Sequence, residues 1–186
     1  LTKLTSIRLS GINNKRIPVD FNSLPLCLKD IYLDYCDLGG VLDITTDRPE
    51  LNHLNVQDSE LTEIKGLEHC LNIHSVYFND NKLSTVPDMS KLLDITAIGL
   101  KNNEITEVPD YIKSLTKLYA LYLSHNKIKD ITALNGTSVR KLDVSCNEIE
   151  SLPDMSAMTN LAGKDEWNNS YEAFLDDYKL ELEGNK

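Results

Sequence analysis

The chain has 186 residues, with 19 lysines and arginines against 29 aspartates and glutamates, which gives a formal net charge of −10 at pH 7. This acidic balance argues against nucleic acid as a partner, because phosphate binding requires clustered lysine and arginine. The sequence contains no apolar run long enough to span a bilayer, so no membrane insertion is expected. The four cysteines lack the close spacing of zinc ligands, and we expect reduced thiols rather than a metal site.

The first predicted strand carries Leu4, Ile7 and Leu9. Alternating apolar residues place their side chains on one face of a strand. The residues that follow, Ile12 and Asn14, exchange the polar and apolar positions found in later units. This unit is therefore a degenerate copy, either a terminal coil or the continuation of an upstream repeat.

One eleven-position pattern then recurs six times, at intervals of about 22 residues. Its clearest copy runs from Leu118 to Ile128 and reads L-x-x-L-x-L-x-x-N-x-I. The position of Asn126 is occupied in the other copies by Cys36, Ser59, Asn81, Asn103 and Asn147. The inward positions are Leu28, Ile31, Leu33, Leu38, Leu51, Leu54, Val56, Leu61, Ile73, Val76, Phe78, Leu83, Ile95, Ile98, Leu100, Ile105, Leu118, Leu121, Leu123, Ile128, Val139, Leu142, Val144 and Ile149.

The asparagine position follows each strand, where the backbone turns and loses its ladder partners. A buried asparagine side chain offers two donors and one acceptor. Because buried backbone groups require partners, we predict that Asn126 hydrogen-bonds inside its own turn and toward the next coil.

The repeated pattern resembles the leucine-rich repeat family from about Leu28 to Leu152. One unit cannot bury its own apolar face, whereas stacked units can. The resemblance implies an α/β solenoid: a right-handed superhelix with a parallel concave β-sheet and a convex side of turns, 3₁₀ segments or short helices. Three of the segments that return on the convex side share an x-P-D form, at Val86–Asp88, Val108–Asp110 and Leu152–Asp154. Of all these return segments, only Asp110 to Lys117 is long enough for more than one helical turn.

The rhythm breaks after Leu152. We interpret roughly 155–177 as an irregular insertion with a helical piece, because its aromatic residues follow a helical spacing. Leu180, Leu182 and Asn185 then indicate the start of another repeat. We therefore predict a single leucine-rich repeat domain over 1–186, with about seven to eight repeats, as a fragment of a longer chain.

The outward positions of the strands form the candidate binding surface. The position between the two inward strand residues is occupied by Arg8, Tyr32, Asn55, Tyr77, Gly99, Tyr122 and Asp143, so tyrosine recurs at every second repeat with gaps at Asn55 and Gly99. Tyrosine suits interfaces because it offers a large area at low entropy cost. Alternatively, tyrosines simply suit strands and pack against cross-strand neighbours.

The predicted partner-binding residues are Tyr32, Asp34, Asn55, Asp58, Tyr77, Asn79, Asp80, Tyr119, Tyr122, His125 and Arg140. The face changes from acidic near Asp34 and Asp80 to basic near Arg140 and Lys141, a change that would orient a partner.

Enzyme hypotheses find little support in the sequence. His53 and His74 fall in neighbouring repeats, and His125 shares a column with Cys146, but nothing in the sequence orients either pair for a metal or a Cys–His dyad. Phosphate-loop and nucleophile-elbow motifs are also missing. We predict no catalytic residue, no cofactor and no metal.

The segment from Asn126 to Leu134 is similar to the N-x-I-x-D-I-x-x-L segment of internalin-type repeats. That resemblance implies a monomeric protein-binding module on a bacterial surface or in secreted form. One alternative is a cytoplasmic adaptor similar to the leucine-rich regulators of protein phosphatases, to which free thiols are suited. A third possibility is a structural spacer between domains.

Overall fold

The computed structural model describes residues 3–12, 15–150, 152, 180–181 and 183–185. The strands are β1 (Ser6–Ser10), β2 (Ile17–Pro18), β3 (Asp30–Asp34), β4 (Cys36–Asp37), β5 (Val41–Asp43), β6 (His53–Gln57), β7 (Glu63–Lys65), β8 (Ser75–Tyr77), β9 (Ala97–Gly99), β10 (Ala120–Tyr122), β11 (Lys141–Asp143) and β12 (Leu180–Glu181). Between them lie 3₁₀ segments at Phe21–Ser23, Leu67–His69, Asp110–Ser114 and Thr132–Leu134.

Within the described residues, eight strands form one parallel sheet in the order β1-β3-β6-β8-β9-β10-β11-β12. After each strand of this sheet the chain crosses to the convex side and comes back to begin the neighbouring strand; we call this connecting segment a return. Two short parallel pairs, β2 with β4 and β5 with β7, lie outside this sheet. The sheet is open and grows by one strand per repeat, which confirms the predicted leucine-rich repeat solenoid.

The core lies between the sheet and the returns, and the predicted inward residues form it. All of them are buried except Leu38, which is half-buried and packs against the same cluster. In the first unit Leu4, Ile7 and Leu9 are also only partly buried, and Ile12 is 70% exposed. The return segments close the other side of the core with residues such as Phe21, Leu42, Leu67, Met89 and Ile112.

The asparagine ladder is present, but its direction differs from the prediction. The Oδ1 atom of Asn126 accepts a hydrogen bond from the Ile105 N–H at 3.0 Å. Its Nδ2 donates to the carbonyls of Leu100 and Leu123, each at 2.9 Å. Ile105 and Leu100 belong to the preceding coil, so the prediction of bonds toward the next coil was wrong. The backbone that follows Asn126 is bonded by the asparagine of the following coil, because the Ile128 N–H donates to Asn147 Oδ1 at 3.0 Å.

The described residues after the predicted insertion return to the repeat geometry. Leu180 pairs with Leu142 in parallel register. Asn185 accepts from the Ile149 N–H at 3.2 Å and donates to the Val144 carbonyl at 3.1 Å, the same contacts that Asn126 makes. Leu182 and the predicted insertion at 155–177 lie outside the described residues, and the domain boundaries stay a prediction.

The convex returns contain 3₁₀ segments and turns, as predicted. The longest is Asp110–Ser114, which is shorter than the predicted span of Asp110 to Lys117. The backbone N–H of Leu115 closes its last turn on the carbonyl of Ile112 at 3.1 Å, and at Leu115 itself ψ is 71°, outside the helical range. The described part of the chain contains no helical segment with the length and hydrophobicity that a membrane span requires.

A buried arginine, which sequence analysis missed, ties two returns together. Arg48 is only 1% exposed. Its Nη2 donates to the carbonyls of Phe21 and Leu24 at 2.7 and 3.2 Å, and its Nη1 donates to that of Pro25 at 3.3 Å. The guanidinium carbon also lies 4.6 Å from the centre of the Phe21 ring. An arginine between an aspartate and a proline has the appearance of a surface residue, so nothing in its local sequence indicated this role.

The four cysteine thiols differ in burial, so we expect them to differ in their rate of alkylation. Cys36 and Cys70 are fully buried, whereas Cys27 and Cys146 are half-buried. Burial raises the pKa of Cys70 to about 12, so at pH 8 only about one Cys70 thiol in ten thousand is the reactive thiolate. We expect maleimide to label Cys27 and Cys146 quickly, and Cys36 and Cys70 only after unfolding, as read by mass spectrometry of peptides. Equal labelling rates at all four positions in the folded chain would contradict this burial pattern.

Candidate functional site

The strands align their central outward residues in one continuous row, as predicted. Backbone register pairs Arg8 with Tyr32, Tyr32 with Asn55 and Asn55 with Tyr77. It continues from Tyr77 through Gly99 and Tyr122 to Asp143. We call the residues Arg8, Tyr32, Asn55, Tyr77, Gly99, Tyr122 and Asp143 the central row. Its neighbours along each strand point into the core, so the row lies on the exposed face of the sheet.

The expected gap at Gly99 is filled, and this corrects the prediction. A Cβ atom placed on Gly99 would lie 2.5 Å from Cδ1 of Tyr77. The Tyr77 ring therefore lies across the backbone of Gly99, in space that any other residue would occupy with its side chain.

The tyrosines of the central row combine a partly buried ring with an unpaired hydroxyl. Tyr32, Tyr77 and Tyr122 are all half-buried. Burial raises the pKa of Tyr77 and of Tyr122, and in each case the preceding tyrosine of the row raises the pKa further. Among the described residues, the three hydroxyls have no hydrogen-bond partner. The hydroxyls of Tyr77 and Tyr122 are therefore donors already partly removed from water, a state that favours hydrogen bonding to a partner.

The two ends of the central row carry opposite charges. At the β1 end, the guanidinium carbon of Arg8 lies 4.6 Å from the centre of the Tyr32 ring. At the β11 end, Oδ1 of Asp143 accepts from the N–H and the Oγ of Ser145 at 3.0 and 2.7 Å. Beside the row, burial raises the pKa of the Asp34 carboxyl, and the charge of Arg8 partly offsets that effect.

Amide side chains beside the tyrosines bond to one another. Gln57 Nε2 donates to Asn55 Oδ1 at 2.9 Å, and Asn79 Nδ2 donates to Gln57 Oε1 at 3.3 Å. Asn79 Oδ1 in turn accepts from the backbone N–H of Lys101 at 2.9 Å. Asn55 and Asn79 were predicted as partner-binding residues, but much of their hydrogen-bonding capacity is already used in stiffening the face.

The residues at the carboxyl ends of the strands have a left-handed backbone, which sequence analysis did not identify. Tyr35, Asp58, Asp80, Asn102, His125 and Cys146 all have φ between 48° and 57°. Asparagine, aspartate and histidine tolerate this conformation better than most residues, and their recurrence after each strand was a usable signal. The exposed side chains of Asp58, Asp80 and His125 therefore also satisfy a backbone requirement.

Two of these carboxylates have partners within the chain. Nη2 of Arg16 lies 3.7 Å from Oδ1 of Asp58 and 3.5 Å from Oε1 of Glu60. Nδ2 of Asn102 donates to Oδ1 of Asp80 at 2.8 Å. The acidic edge is thus partly neutralised, which lowers its contribution to partner binding.

The remaining predicted residues lie at the opposite edge of the sheet. Tyr119 precedes β10 and Arg140 precedes β11. Nζ of Lys141 lies 5.4 Å from the centre of the Tyr119 ring, and Arg140 is exposed. The eleven predicted site residues are therefore distributed between the middle of the sheet and its two edges, and they do not form one compact cluster.

In each suspected pair, one residue makes contacts with other residues. Nδ1 of His53 lies 2.6 Å from Oγ of Ser75. Its Nε2 lies 4.0 Å from Oδ1 of Asp30, too far for the hydrogen bond that orients a catalytic histidine. Ser75 is moreover only 7% exposed. At the other suspected pair, Sγ of Cys146 lies against Gly184, where a Cβ atom would be 2.9 Å away.

Comparisons with known proteins identify the fold. No family model and no curated protein matches the sequence, whereas many solved structures match the fold. Internalin C2 of Listeria monocytogenes has a TM-score of 0.70 and 17% identity, over 86% of this chain and 69% of that chain.

Two further internalins of the same organism match. The functional domain of InlJ, which includes a cysteine ladder, has a TM-score of 0.63 and 21% identity, over 86% of this chain and 33% of that one. InlF has a TM-score of 0.50 and 17% identity, over 73% and 53%. The chain thus spans between a third and about two thirds of these structures. This protein is a leucine-rich repeat solenoid, similar in fold to the internalins of Listeria monocytogenes.

Proposed function

We propose that this solenoid is a non-enzymatic module that binds a protein partner through the exposed, concave face of its sheet. The single observation that carries the proposal is the central row, with three half-buried tyrosines whose hydroxyls have no partner among the described residues. Tyrosines of this kind dominate binding energy in protein interfaces.

The rigidity of the face also supports this proposal. Parallel register fixes the central row, and the linked amides of Asn55, Gln57 and Asn79 hold the residues beside it. A surface that is already ordered loses little entropy when it binds. The edges supply weaker, orienting interactions, with exposed Asp58 and Asp80 on one side and Arg140 on the other.

The proposed setting is a bacterial surface or the secreted fraction, by analogy with the internalins, and the proposed state is a monomer. The buried cysteines are compatible with this setting, because the functional domain of InlJ includes a cysteine ladder. Nucleic acid is not a proposed partner, since the net charge is −10. The alternative is an intracellular adaptor that binds a protein. A structural spacer between domains is the function that would be left if no surface of the chain bound a partner.

The test is affinity capture with paired variants. Wild type and a Tyr77→Ala/Tyr122→Ala variant are immobilised at equal folded amounts and exposed to host-cell and bacterial extracts. We expect at least one protein to be retained by wild type and lost from the variant, by about 100-fold for two removed anchors. The matched control is Leu71→Ala/Leu93→Ala, which truncates two leucines that are 55% and 58% exposed away from the sheet.

The control variant is expected to retain the same proteins as wild type. Loss of a protein from the control but not from the tyrosine variant would move the binding surface to the convex side. Identical retention by all three chains would contradict a role for the central row, and retention by none would favour the spacer.

A further inference from the structure

The chemistry of the partner segment follows from the spacing of the central row, and this inference rests on the proposed function. Neighbouring strands of a sheet lie about 4.8 Å apart, so positions two strands apart are separated by about 9.6 Å. Tyr32, Tyr77 and Tyr122 occupy every second position of the row. A segment lying across the strands would therefore pass the backbone position of one tyrosine about every 9.6 Å.

Only one regular backbone conformation has a repeat close to this spacing. A polyproline II helix has three residues per turn and a rise of about 3.1 Å, hence a repeat of about 9.3 Å. An extended strand repeats each face after about 6.7 Å, and two turns of an α-helix, seven residues, advance about 10.5 Å. Over the two intervals between the tyrosines, the polyproline II repeat accumulates a mismatch of about 0.6 Å, against about 1.8 Å for the helix.

The tyrosine hydroxyls suit the same conformation. A polyproline II segment makes no internal hydrogen bonds and exposes its carbonyl oxygens. The hydroxyls of Tyr32, Tyr77 and Tyr122 have no hydrogen-bond partner among the described residues. Each can donate to a carbonyl of the segment, while the apolar ring packs against a proline. The Tyr77 ring packs against the backbone of Gly99, and this contact holds the ring in place.

The charges at the ends of the row give the segment a direction. The β11 end has Asp143, whose Oδ1 is engaged by Ser145 while its second oxygen has no hydrogen bond among the described residues. The β1 end has the exposed Arg8, stacked on Tyr32. A segment with a basic residue at the Asp143 end and an acidic one at the Arg8 end complements both charges.

We propose that the central row binds a proline-rich segment of a partner protein in the polyproline II conformation, with a basic residue at the Asp143 end. The segment crosses the strands, and one residue in every three contacts the tyrosines.

The experiment uses the full chain and synthetic fluorescent peptides of about ten residues, the length that spans the central row from Arg8 to Asp143 in this conformation. The probe has proline at every third position and arginine at one end. The control peptide has the same composition, with the prolines at every fourth position. By fluorescence anisotropy, we expect the probe to bind at least about tenfold more tightly than the control, since only the probe keeps its period in step with the tyrosines.

Chain variants then assign the contacts. Tyr77→Phe/Tyr122→Phe removes only the hydroxyls and is expected to weaken binding of the probe about tenfold, whereas Tyr111→Phe, on the convex side, leaves it unchanged. Asp143→Asn is expected to weaken the arginine-bearing probe and not a version ending in glutamine. Far-ultraviolet circular dichroism and urea midpoints establish that each variant is folded.

Equal binding of the two peptides, or no binding of the probe up to millimolar concentration, would overturn the proposal. If capture of a natural partner still depends on Tyr77 and Tyr122 in that case, the proposed function stands and only the polyproline II segment is wrong. If neither experiment depends on these tyrosines, both proposals fail.

Discussion

Leu121→Ala is expected to lower the free energy of unfolding by about 2 to 5 kcal/mol, the range for large-to-small substitutions in a packed core. Leu121 is 1% exposed and lies in the middle of β10, in register with Ile98 on one side and Leu142 on the other. The cavity therefore opens at the interface between three coils. In a solenoid each coil is stabilised mainly by its neighbours, so a defect here weakens both flanking interfaces.

Urea unfolding followed by circular dichroism measures this effect. The control Leu71→Ala removes the same atoms from a leucine that is 55% exposed, and is expected to change the free energy of unfolding by less than about 0.5 kcal/mol. Leu121→Met, which nearly conserves volume, should cost less than about 1.5 kcal/mol. A cost below about 0.5 kcal/mol for Leu121→Ala would show that β10 does not face the core in the way the structure places it.

Asn126→Ala is expected to lower the free energy of unfolding by about 1 to 3 kcal/mol, because buried backbone groups lose their partners. The substitution leaves the Ile105 N–H and the carbonyls of Leu100 and Leu123 without the amide that bridges them. Asn126 is only 8% exposed, so water replaces these bonds poorly.

The matched control is Asn72→Ala, which removes one exposed hydrogen bond from Asn72 Nδ2 to the Pro49 carbonyl. Asn126→Ser should recover part of the loss, since Ser59 occupies the equivalent position of its own coil, accepting from the Cys36 N–H and donating to the Gln57 carbonyl. If Asn126→Ala cost no more than Asn72→Ala in urea unfolding, the buried ladder would not be a stabilising element.

The fold could be predicted from the sequence because one pattern, the eleven-position repeat, determines which residues form strands and which face the core. The alternation that buries Leu121 and Leu123 recurs in all six copies of the pattern, and a repeat period that stays close to 22 residues aligns neighbouring strands. The same period placed Tyr32, Tyr77 and Tyr122 in one row. These features depend on spacing along the chain, which a single sequence records directly.

The features that sequence analysis missed depend on contacts between coils. Arg48 is buried only because three carbonyls of the preceding return surround its guanidinium. Tyr77 covers Gly99 because two neighbouring strands are in register, and the reach of Asn126 to the preceding coil depends on how the coils stack. None of these contacts is encoded within one repeat. The left-handed residues were different, since their recurring aspartate and asparagine were visible in the sequence.

The most direct test of the central claim is hydroxyl-radical footprinting of the chain with and without a captured partner, read residue by residue by mass spectrometry. We expect oxidation of Tyr32, Tyr77 and Tyr122 to fall several-fold in the complex, because bound surfaces exclude solvent, while Leu71 and Leu93 on the convex side are oxidised as before. Protection of Leu71 and Leu93 with unchanged oxidation of the three tyrosines would contradict binding through the exposed face of the sheet.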